Sequence, residues 1–437
     1  MSSGLSLWIG LLTLMAVAFG RLPGVSLSRA VLALAGAVLL VTTGALSLER
    51  ALSHVNGEVL VLLFGLMAVN VALAEAGAFR LLTALVARGT LGPRRLLALL
   101  VFSAGALSAL FLNDTVALML TPLVIRAARR LSLPPVPYLL ALALAVNAGS
   151  VATITGNPQN VLVAVTADIG YGAFAARLAP VAVLALVVVW LVVVLTYGRE
   201  LGPSQVRRSA VTPAAALALP PVRTGRLALA GGAALAMLIA FATGAPVALA
   251  AATAGTFLLL TRGRVSGVLL RRIDYGLLVL FAGLFVVVGA MADTGLPQNW
   301  LLTWLPTTGS GVDTIGITTL VTAGLSVLVS NVPAVLLLLP ATGFDAATSS
   351  IVGAITSQGA AAGDWLGSRN LALTIAMAST LAGNLTLVAS VANLIVAEGA
   401  KRLGVELGFW AYLRVGLPVT AVTLLIGTLW LAMVAGG

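Results

Sequence analysis

Asparagines recur in this chain where an apolar sequence has least use for them. The stretch FLNDTVALMLTP, residues 111–122, sets Asn113, Asp114 and Thr115 side by side inside a hydrophobic run. TITGNPQNVLV, residues 153–163, gathers Thr155, Gly156, Asn157, Gln159 and Asn160. A second set follows far downstream: Ser330 and Asn331 in LVSNVPAVLLLLP, then Gly383, Asn384, Thr386 and Asn393 in AGNLTLVASVANLIV. Carboxamides and hydroxyls donate and accept hydrogen bonds without carrying charge, so a site made of them selects small ions or polar solutes by hydrogen bonding. Asp114 is the exception, because an ionised carboxylate at membrane depth is costly and marks function. It is the expected carrier of a coupling proton or cation. The structural alternative is an N-cap for a helix over 115–125, a role that Asn, Asp and Thr all fill.

The elements that position these residues follow from composition. Of 437 residues 60% are hydrophobic and 8% charged, and the mean hydropathy is +1.13, well beyond a soluble domain. Long apolar segments with short polar breaks predict an all-α polytopic membrane protein in a lipid bilayer rather than an outer-membrane barrel. The expected spans are 4–20, 28–47, 56–79, 135–166, 174–197, 225–243, 246–261, 275–292, 368–397 and 410–433. The segment 6–19 lacks the basic start and small-residue cleavage pattern of a signal peptide and reads as the first span.

No cysteine is present and His54 is the only histidine, which excludes disulfides, thiolate clusters, a histidine metal site and any Cys- or His-based nucleophile–base set. No cofactor is expected beyond a proton or sodium as coupling ion, and no enzymatic activity. The net charge of +11 comes from arginines dispersed over loops, so no nucleic-acid partner is expected. Trp8, Trp190, Tyr197, Trp300, Trp304 and Trp410 fall near span ends and read as interfacial anchors.

Basic residues favour cytoplasmic loops. Here they mark alternate loops: Arg21 and Arg29; Arg80, Arg88, Arg94 and Arg95; Arg199, Arg207, Arg208, Arg223 and Arg226; Arg262, Arg264, Arg271 and Arg272; Lys401, Arg402 and Arg414. The opposite loops hold Arg50, Arg177 and Arg369 with the acids Glu49, Asp168, Asp293, Asp313 and Asp345. This pattern places both termini outside a cell (inner) membrane. The segment 96–125 has arginines at both ends, Arg94 and Arg95 before and Arg126, Arg129 and Arg130 after. As one helix it would run about 45 Å against a hydrocarbon core of roughly 30 Å. A re-entrant hairpin with its tip at Asn113–Thr115 satisfies both flanks.

The hairpin has a counterpart. Gly65, Glu75, Gly77, Asn113 and Pro122 match Gly283, Asp293, Gly295, Asn331 and Pro340 at one offset of 218 residues. Further along the offset becomes 233, pairing Thr153 with Thr386 and Asn160 with Asn393. The expected architecture is two repeats, each of five transmembrane helices plus one re-entrant hairpin, with interrupted helices at the midplane. The first covers 1–198 (hairpin 96–130, broken helix 135–166). A cytoplasmic linker covers 199–224, and the second repeat covers 225–437 (hairpin 315–341, broken helix 368–397). An odd number of crossings inverts one repeat relative to the other, the signature of secondary transporters. Glu75 and Asp293 read as cap or interfacial acids at equivalent span ends, and Asp364 as an external-loop residue near Arg369.

NDTVALMLTPLVIRAARRLSLPPVPYLLALALAVNAGSVATITGNPQNVLVAV and GNLTLVASVANLIVAEGAK resemble the arsenite efflux permease branch of the ion transporter superfamily, close to plant silicon efflux transporters. The resemblance implies a scaffold and a mobile, elevator-like transport domain made of hairpins and broken helices, often in a homodimer, with substrate and ion enclosed by the two hairpin tips and two helix breaks. Dicarboxylate symporters of the superfamily carry Ser-Asn-Thr at both tips; this chain has Asn113-Asp114-Thr115 and Ser330-Asn331-Val332. An acid beside the site repels a dianion. The expected function is proton-coupled export of a small oxyacid or oxyanion, of the arsenite/antimonite or silicic acid class. The alternatives are a sodium/proton antiporter and, less favoured, a sodium-coupled dicarboxylate symporter.

Overall fold

A computed structural model of the chain describes residues 2–19, 27–78, 92–202, 224–261, 266–296, 303, 311–342 and 362–435. Arg21, Arg80, Arg88, Arg207, Arg208, Arg223, Arg262, Arg264, Trp300, Trp304 and Asp345 lie outside the described residues, as do positions 203–223 of the expected linker.

All regular structure among the described residues is helical. The N-terminal half holds α1 (Ser2–Phe19), α2 (Arg29–Thr42), the short α3 (Leu48–Ser53), α4 (Gly57–Ala76), α5 (Pro93–Leu110), α6 (Asn113–Arg130), α7 (Pro135–Ser150), α8 (Pro158–Thr166) and α9 (Tyr171–Thr196). The C-terminal half holds α10 (Thr224–Ala242), α11 (Val247–Leu260), the short α12 (Ser266–Leu270), α13 (Tyr275–Ala292), α14 (Val312–Val329), α15 (Asn331–Leu338), α16 (Ala362–Ala382), α17 (Val391–Arg402) and α18 (Phe409–Ala435). Seven of these, α4, α5, α9, α10, α13, α14 and α18, are long and apolar enough to cross a membrane.

Segment 96–125 breaks where the arginines require. Tyr138 donates its hydroxyl to the Pro93 carbonyl (3.1 Å) and Ser108 to the Val146 carbonyl (2.5 Å), so α5 runs alongside α7 in the same direction. Only four residues join α6 to α7, so α6 returns against both and forms a hairpin with α5. The turn is Phe111–Leu112. Asn113 opens α6, with Leu112 at the N-cap position making no side-chain cap bond. The capping reading of Asp114 is therefore corrected: the helix starts two residues before 115, and Asp114 lies in its first turn, where an acid is favoured by the helix dipole. Pro122 does not close the run either, since α6 continues through it to Arg130.

α7 is buried from Pro137 through Ser150, and α16 from Asn370 through Ala382. Helices apolar all round belong inside a bundle, and these two form its centre: α5, α6 and α9 pack on α7, while α14, α15 and α18 pack on α16. Asp364, expected in a loop, falls within α16; the acid paired with Arg369 is Asp168, at 3.3 Å.

The offset of 218 residues reappears as contacts between the halves. α4 packs on α11 and α2 on α13. At their crossings Gly65 lies on the Ala251 backbone, where an added Cβ would overlap main-chain atoms, and Gly283 lies on Ala33, with a Cβ only 2.7 Å from its carbonyl carbon. Ala33 and Ala251 are themselves 218 apart. Small residues allow such close helix approach in a membrane. His54 stands in the turn between α3 and α4. It caps α3, is 6% exposed, and its Nε2 is 2.9 Å from Asp293, which Arg50 also grips at 2.8 and 3.2 Å. Glu75 pairs with Arg272 at 3.3 Å. His54 and Arg272, like Glu75 and Asp293, are 218 apart, so each acid at the end of α4 or α13 is held by a base from the other half.

Partial burial alone would push the Asp293 carboxyl up, but the hydrogen bonds from Arg50 and His54, with their charges, hold it below the usual carboxylate range. A depressed carboxylate stabilises the fold above its ordinary value and loses that contribution as pH falls through the lowered one. The melting temperature of wild type should therefore exceed that of Asp293→Asn near neutral pH, with the difference shrinking as pH drops below the usual carboxylate range. Replacing Gly65 by Val should destabilise by about 1–3 kcal/mol, as overpacking does; a detergent melting curve unchanged by the substitution would refute the backbone contact.

Candidate functional site

Two helix breaks face each other at the centre of the bundle. α7 ends at Ser150, a 3-10 turn covers Ile154–Gly156, and α8 starts at Pro158 behind Asn157, whose Oδ1 accepts from the Asn160 amide at 2.8 Å. α16 ends at Ala382 and α17 begins at Val391. Gln159, Asn160 and Asn393 are thus first-turn residues of helices, while Thr155, Gly156, Asn157, Gly383, Asn384 and Thr386 belong to the breaks.

A break frees backbone carbonyls, which in lipid must find donors. One asparagine does this in each half. Asn160 Nδ2 donates to the carbonyls of Ser150 and Thr153, both at 2.9 Å. Asn393 Nδ2 donates to those of Gly383 and Thr386, at 2.8 and 3.1 Å. Donors and acceptors alike are 233 apart.

The breaks are then tied to one another. Asn147, in α7, donates to Asn384 Oδ1 (3.1 Å) and Asn393 Oδ1 (3.0 Å), and its own Oδ1 accepts from Ser390 (3.1 Å) and from Asn113 Nδ2 at the hairpin tip (3.2 Å). Thr380, at the matching position of α16, accepts from Asn157 (3.2 Å) and Gln159 (3.3 Å) and donates to Asn160 Oδ1 (3.4 Å). Thr155 reaches back to the Ala109 carbonyl at the end of α5, 3.1 Å away. Among the described residues no charged side chain hydrogen-bonds into this network.

The second tip joins it differently. A Cβ on Gly383 would lie 3.2 Å from Asn331 Nδ2 and 3.3 Å from the Ser390 side chain, so the α15 tip abuts the second break. Asn331 Oδ1 is buried without a hydrogen-bond partner among the described residues, as is Thr386 Oγ1. Ser330 holds φ +76° and ψ 159°, a region essentially reserved for glycine and one that clusters at ligand sites. Asp114 and Thr115 are half-buried in the first turn of α6. The Asp114 carboxylate makes no hydrogen bond or ion pair among the described residues; it interacts electrostatically with Asp274 and Arg29, at the starts of α13 and α2. Asn113, not Asp114, reaches the amide network.

The geometry therefore gathers Asn113, Thr155, Gly156, Asn157, Gln159, Asn160, Asn331, Gly383, Asn384, Thr386 and Asn393, with Ser330 at the tip, and sets Asp114 and Thr115 beside it. Sequence reasoning missed Asn147, Ser150, Thr380 and Ser390. The signal was present: the offset of 233 carried back from Asn160 and Asn393 aligns Asn147 with Thr380, and Asn157 with Ser390.

The profile of the family described as CitMHS, citrate transporter, matches residues 14–355. A silicon efflux transporter of rice (Oryza sativa subsp. japonica), LSI3, is 31% identical over 97% of this chain and 96% of its own length. A transporter named arsB from Dictyostelium discoideum is 34% identical over 36% of this chain and 25% of its own length. The crystal structure of the Alcanivorax borkumensis YdaH transporter has the same fold, with a TM-score of 0.59 at 16% identity, covering 100% of this chain and 98% of that one.

Asn160 and Asn393 do one job in two places. Removing either side chain takes the amide donor from two carbonyls, of which those of Ser150, Thr153 and Thr386 keep a longer bond from Asn157 Nδ2 (3.4 Å), the Gly156 amide (3.3 Å) and the Ala389 amide (3.2 Å). The loss is about 1–3 kcal/mol for the two bonds together. Asn160→Ala and Asn393→Ala should lower the melting temperature in detergent by comparable amounts; a large loss in one and none in the other would show that the two breaks are not equivalent.

Proposed function

Because the chain belongs to the CitMHS, or citrate transporter, family, a family of membrane transporters and not enzymes, we propose that it is a proton-coupled secondary transporter exporting a small, largely neutral oxyacid of the arsenous or silicic acid class. The observation that carries this reading is the uncharged amide–hydroxyl network with two buried oxygens, Asn331 Oδ1 and Thr386 Oγ1, left without partners among the described residues. A buried acceptor without a donor is costly. The hydroxyls of a neutral oxyacid supply the donor that Asn331 Oδ1 needs and can exchange hydrogen bonds with the Thr386 hydroxyl in either direction; the oxygens of an ionised carboxylate can accept from Thr386 but give nothing to Asn331 Oδ1.

Charge argues the same way. α6, α8, α15 and α17 all begin at the network, each contributing about half a positive charge at most, spread over amide donors. That suits oxygen lone pairs but falls short of balancing a citrate, and Asp114 would add repulsion. What the rice relative's description says of silicon efflux, and the name arsB of the Dictyostelium protein, favour an oxyacid as cargo.

In this reading the halves 1–198 and 225–437 are inverted repeats, supported by the crossed contacts at an offset of 218 and the matched amide locks at 233. The hairpins, the broken helices and the ends of α9 and α18 move as a transport domain against a scaffold of α1, α2, α4, α10, α11 and α13, in an elevator-like cycle. The arginine distribution favours an inner-membrane protein with both termini outside, and the resemblance to related permeases favours a homodimer. Asp114 carries the proton, because it lies beside the network yet interacts with Asp274, which repels its charge, and Arg29, which attracts it, on the scaffold, where a change of its charge alters the balance of forces between the two parts.

Proteoliposomes holding an internal pH dye, challenged in turn with silicic acid, arsenite, antimonite, sodium, succinate and citrate, test this reading. Silicic acid or arsenite should evoke a pH change, and Asp114→Asn should abolish it while the solute still raises the melting temperature of the detergent-solubilised protein. A response to sodium alone would replace the oxyacid by a cation, and a response to citrate or succinate would defeat the charge argument.

A further inference from the structure

The halves differ most in the first leg of each hairpin. On α5 the buried face reads Leu100, Val101, Ala104 and Ser108; 218 residues later, on α14, it reads Thr318, Thr319, Thr322 and Ser326, all buried. Their spacing puts the four on one stripe of α14, which packs on α16 and α18. α18 carries Thr420, Thr423 and Thr428, also buried. Thr428 donates to Thr319 at 3.0 Å and fixes the two helices against each other.

Some of these hydroxyls are satisfied within their own helix: Thr318 donates to Thr314 O at 2.8 Å and Thr423 to Val419 O at 2.7 Å. Three are not. Among the described residues Thr322 Oγ1, Ser326 Oγ and Thr420 Oγ1 have no partner, although the residues are 0%, 1% and 4% exposed. The first half shows that the fold does not require hydroxyls here, since Leu100, Val101 and Ala104 pack the equivalent face and Ser108 spends its hydroxyl on Val146 O. Buried, unpartnered hydroxyls in a row are the setting in which ordered water is held, and a hydroxyl that both donates and accepts can pass a proton along such a file.

The seam has two ends. At one, α14 starts with the exposed Asp313 in its first turn. At the other, Ser326 is one turn from the Ser330 tip, and Thr420 is one turn beyond Gly416, which lies against the Asn384 carbonyl in the second break. We propose that the α14–α18 seam is a file of water molecules through which protons pass between the face where α14 begins and the amide network. The proposal rests on the proton coupling argued above. The arginine distribution places that face outside, the side from which protons would enter to drive export.

The test uses the full chain with Thr322→Val, Ser326→Ala and Thr420→Val combined, substitutions that keep or shrink volume and remove the hydroxyls. Met377 reports on the water: it is fully buried on α16, and its Sδ lies 2.6 Å from where a Cβ on Gly427 would sit, beside Thr428. X-ray radiolytic labelling oxidises so buried a sulfur only where bound water lies near it. Met377 should be oxidised in the wild type, severalfold less in the triple variant, and solute-driven proton movement in proteoliposomes should fall severalfold. The melting temperature, and its rise on adding silicic acid or arsenite, should stay unchanged or increase, because unpaired hydroxyls replaced by apolar groups cost nothing. An unlabelled wild-type Met377, or labelling unaffected by the triple variant, would overturn the water file. Labelling lost with proton movement intact would overturn its role as a path. If the wild type moves no protons with any solute, proton coupling and the path fail together, and Met377 labelling still decides whether the seam is wet.

Discussion

A main chain that abandons its helix inside a membrane must bring its own hydrogen-bond partners, and the rest of this molecule is arranged around that requirement. Each break is closed by one asparagine whose amide spans two freed carbonyls, Asn160 over Ser150 and Thr153, Asn393 over Gly383 and Thr386. The oxygens of these amides then need donors, and they come from the opposite half: Asn147 serves Asn393 and Thr380 serves Asn160. Satisfying the breaks therefore welds the two central helices together. The solute site is what remains once that internal accounting is complete, which is why the polar atoms still open, on Asn331 and Thr386, are so informative.

The same crossing logic governs the outer layer by different means. Gly65 and Gly283 bring main chains together without side chains, and Glu75–Arg272 and Asp293–His54 fasten opposite ends of α4 and α13. Surface ion pairs contribute little on their own; here their value lies in fixing which helix ends meet. The frame so made is centred where α2, α4, α11 and α13 cross; the hairpin helix α6 packs on α7 and α17, and α15 on α14, α16, α8 and also α13 of the frame.

Much of this was legible in the sequence. Arginines flanking 96–125 located the hairpin, and an offset shared by Gly65, Asn113 and Pro122 exposed the pairing of the halves. Errors arose where the answer depended on partners remote in the chain. Asn147 sits in an apolar helix with no local motif, and only its bonds to residues 237 and 246 positions away reveal it. The contact of His54 with Asp293 was hidden in the same way, because its acid is 239 positions downstream. The start of α6 was misjudged for a local reason: Asn113 keeps its side-chain oxygen for the Asp114 amide, 2.9 Å away, and its Nδ2 for Asn147, so the residue that looks like a cap is the first residue of the helix.

Because the contacts cross between halves, synthesis imposes an order on them. At about 5–20 residues per second, the partner of Gly65 leaves the ribosome on the order of ten to forty seconds after it does, and Asn147 waits a similar time for Asn384 and Asn393. Throughout that interval the first half resides in the bilayer with the Gly65 backbone uncovered on α4 and an open carboxamide on α7. Insertion machinery or lipid headgroups must shelter these groups, and a chain truncated after its first half would expose to quality control the same surfaces that the second half is built to cover.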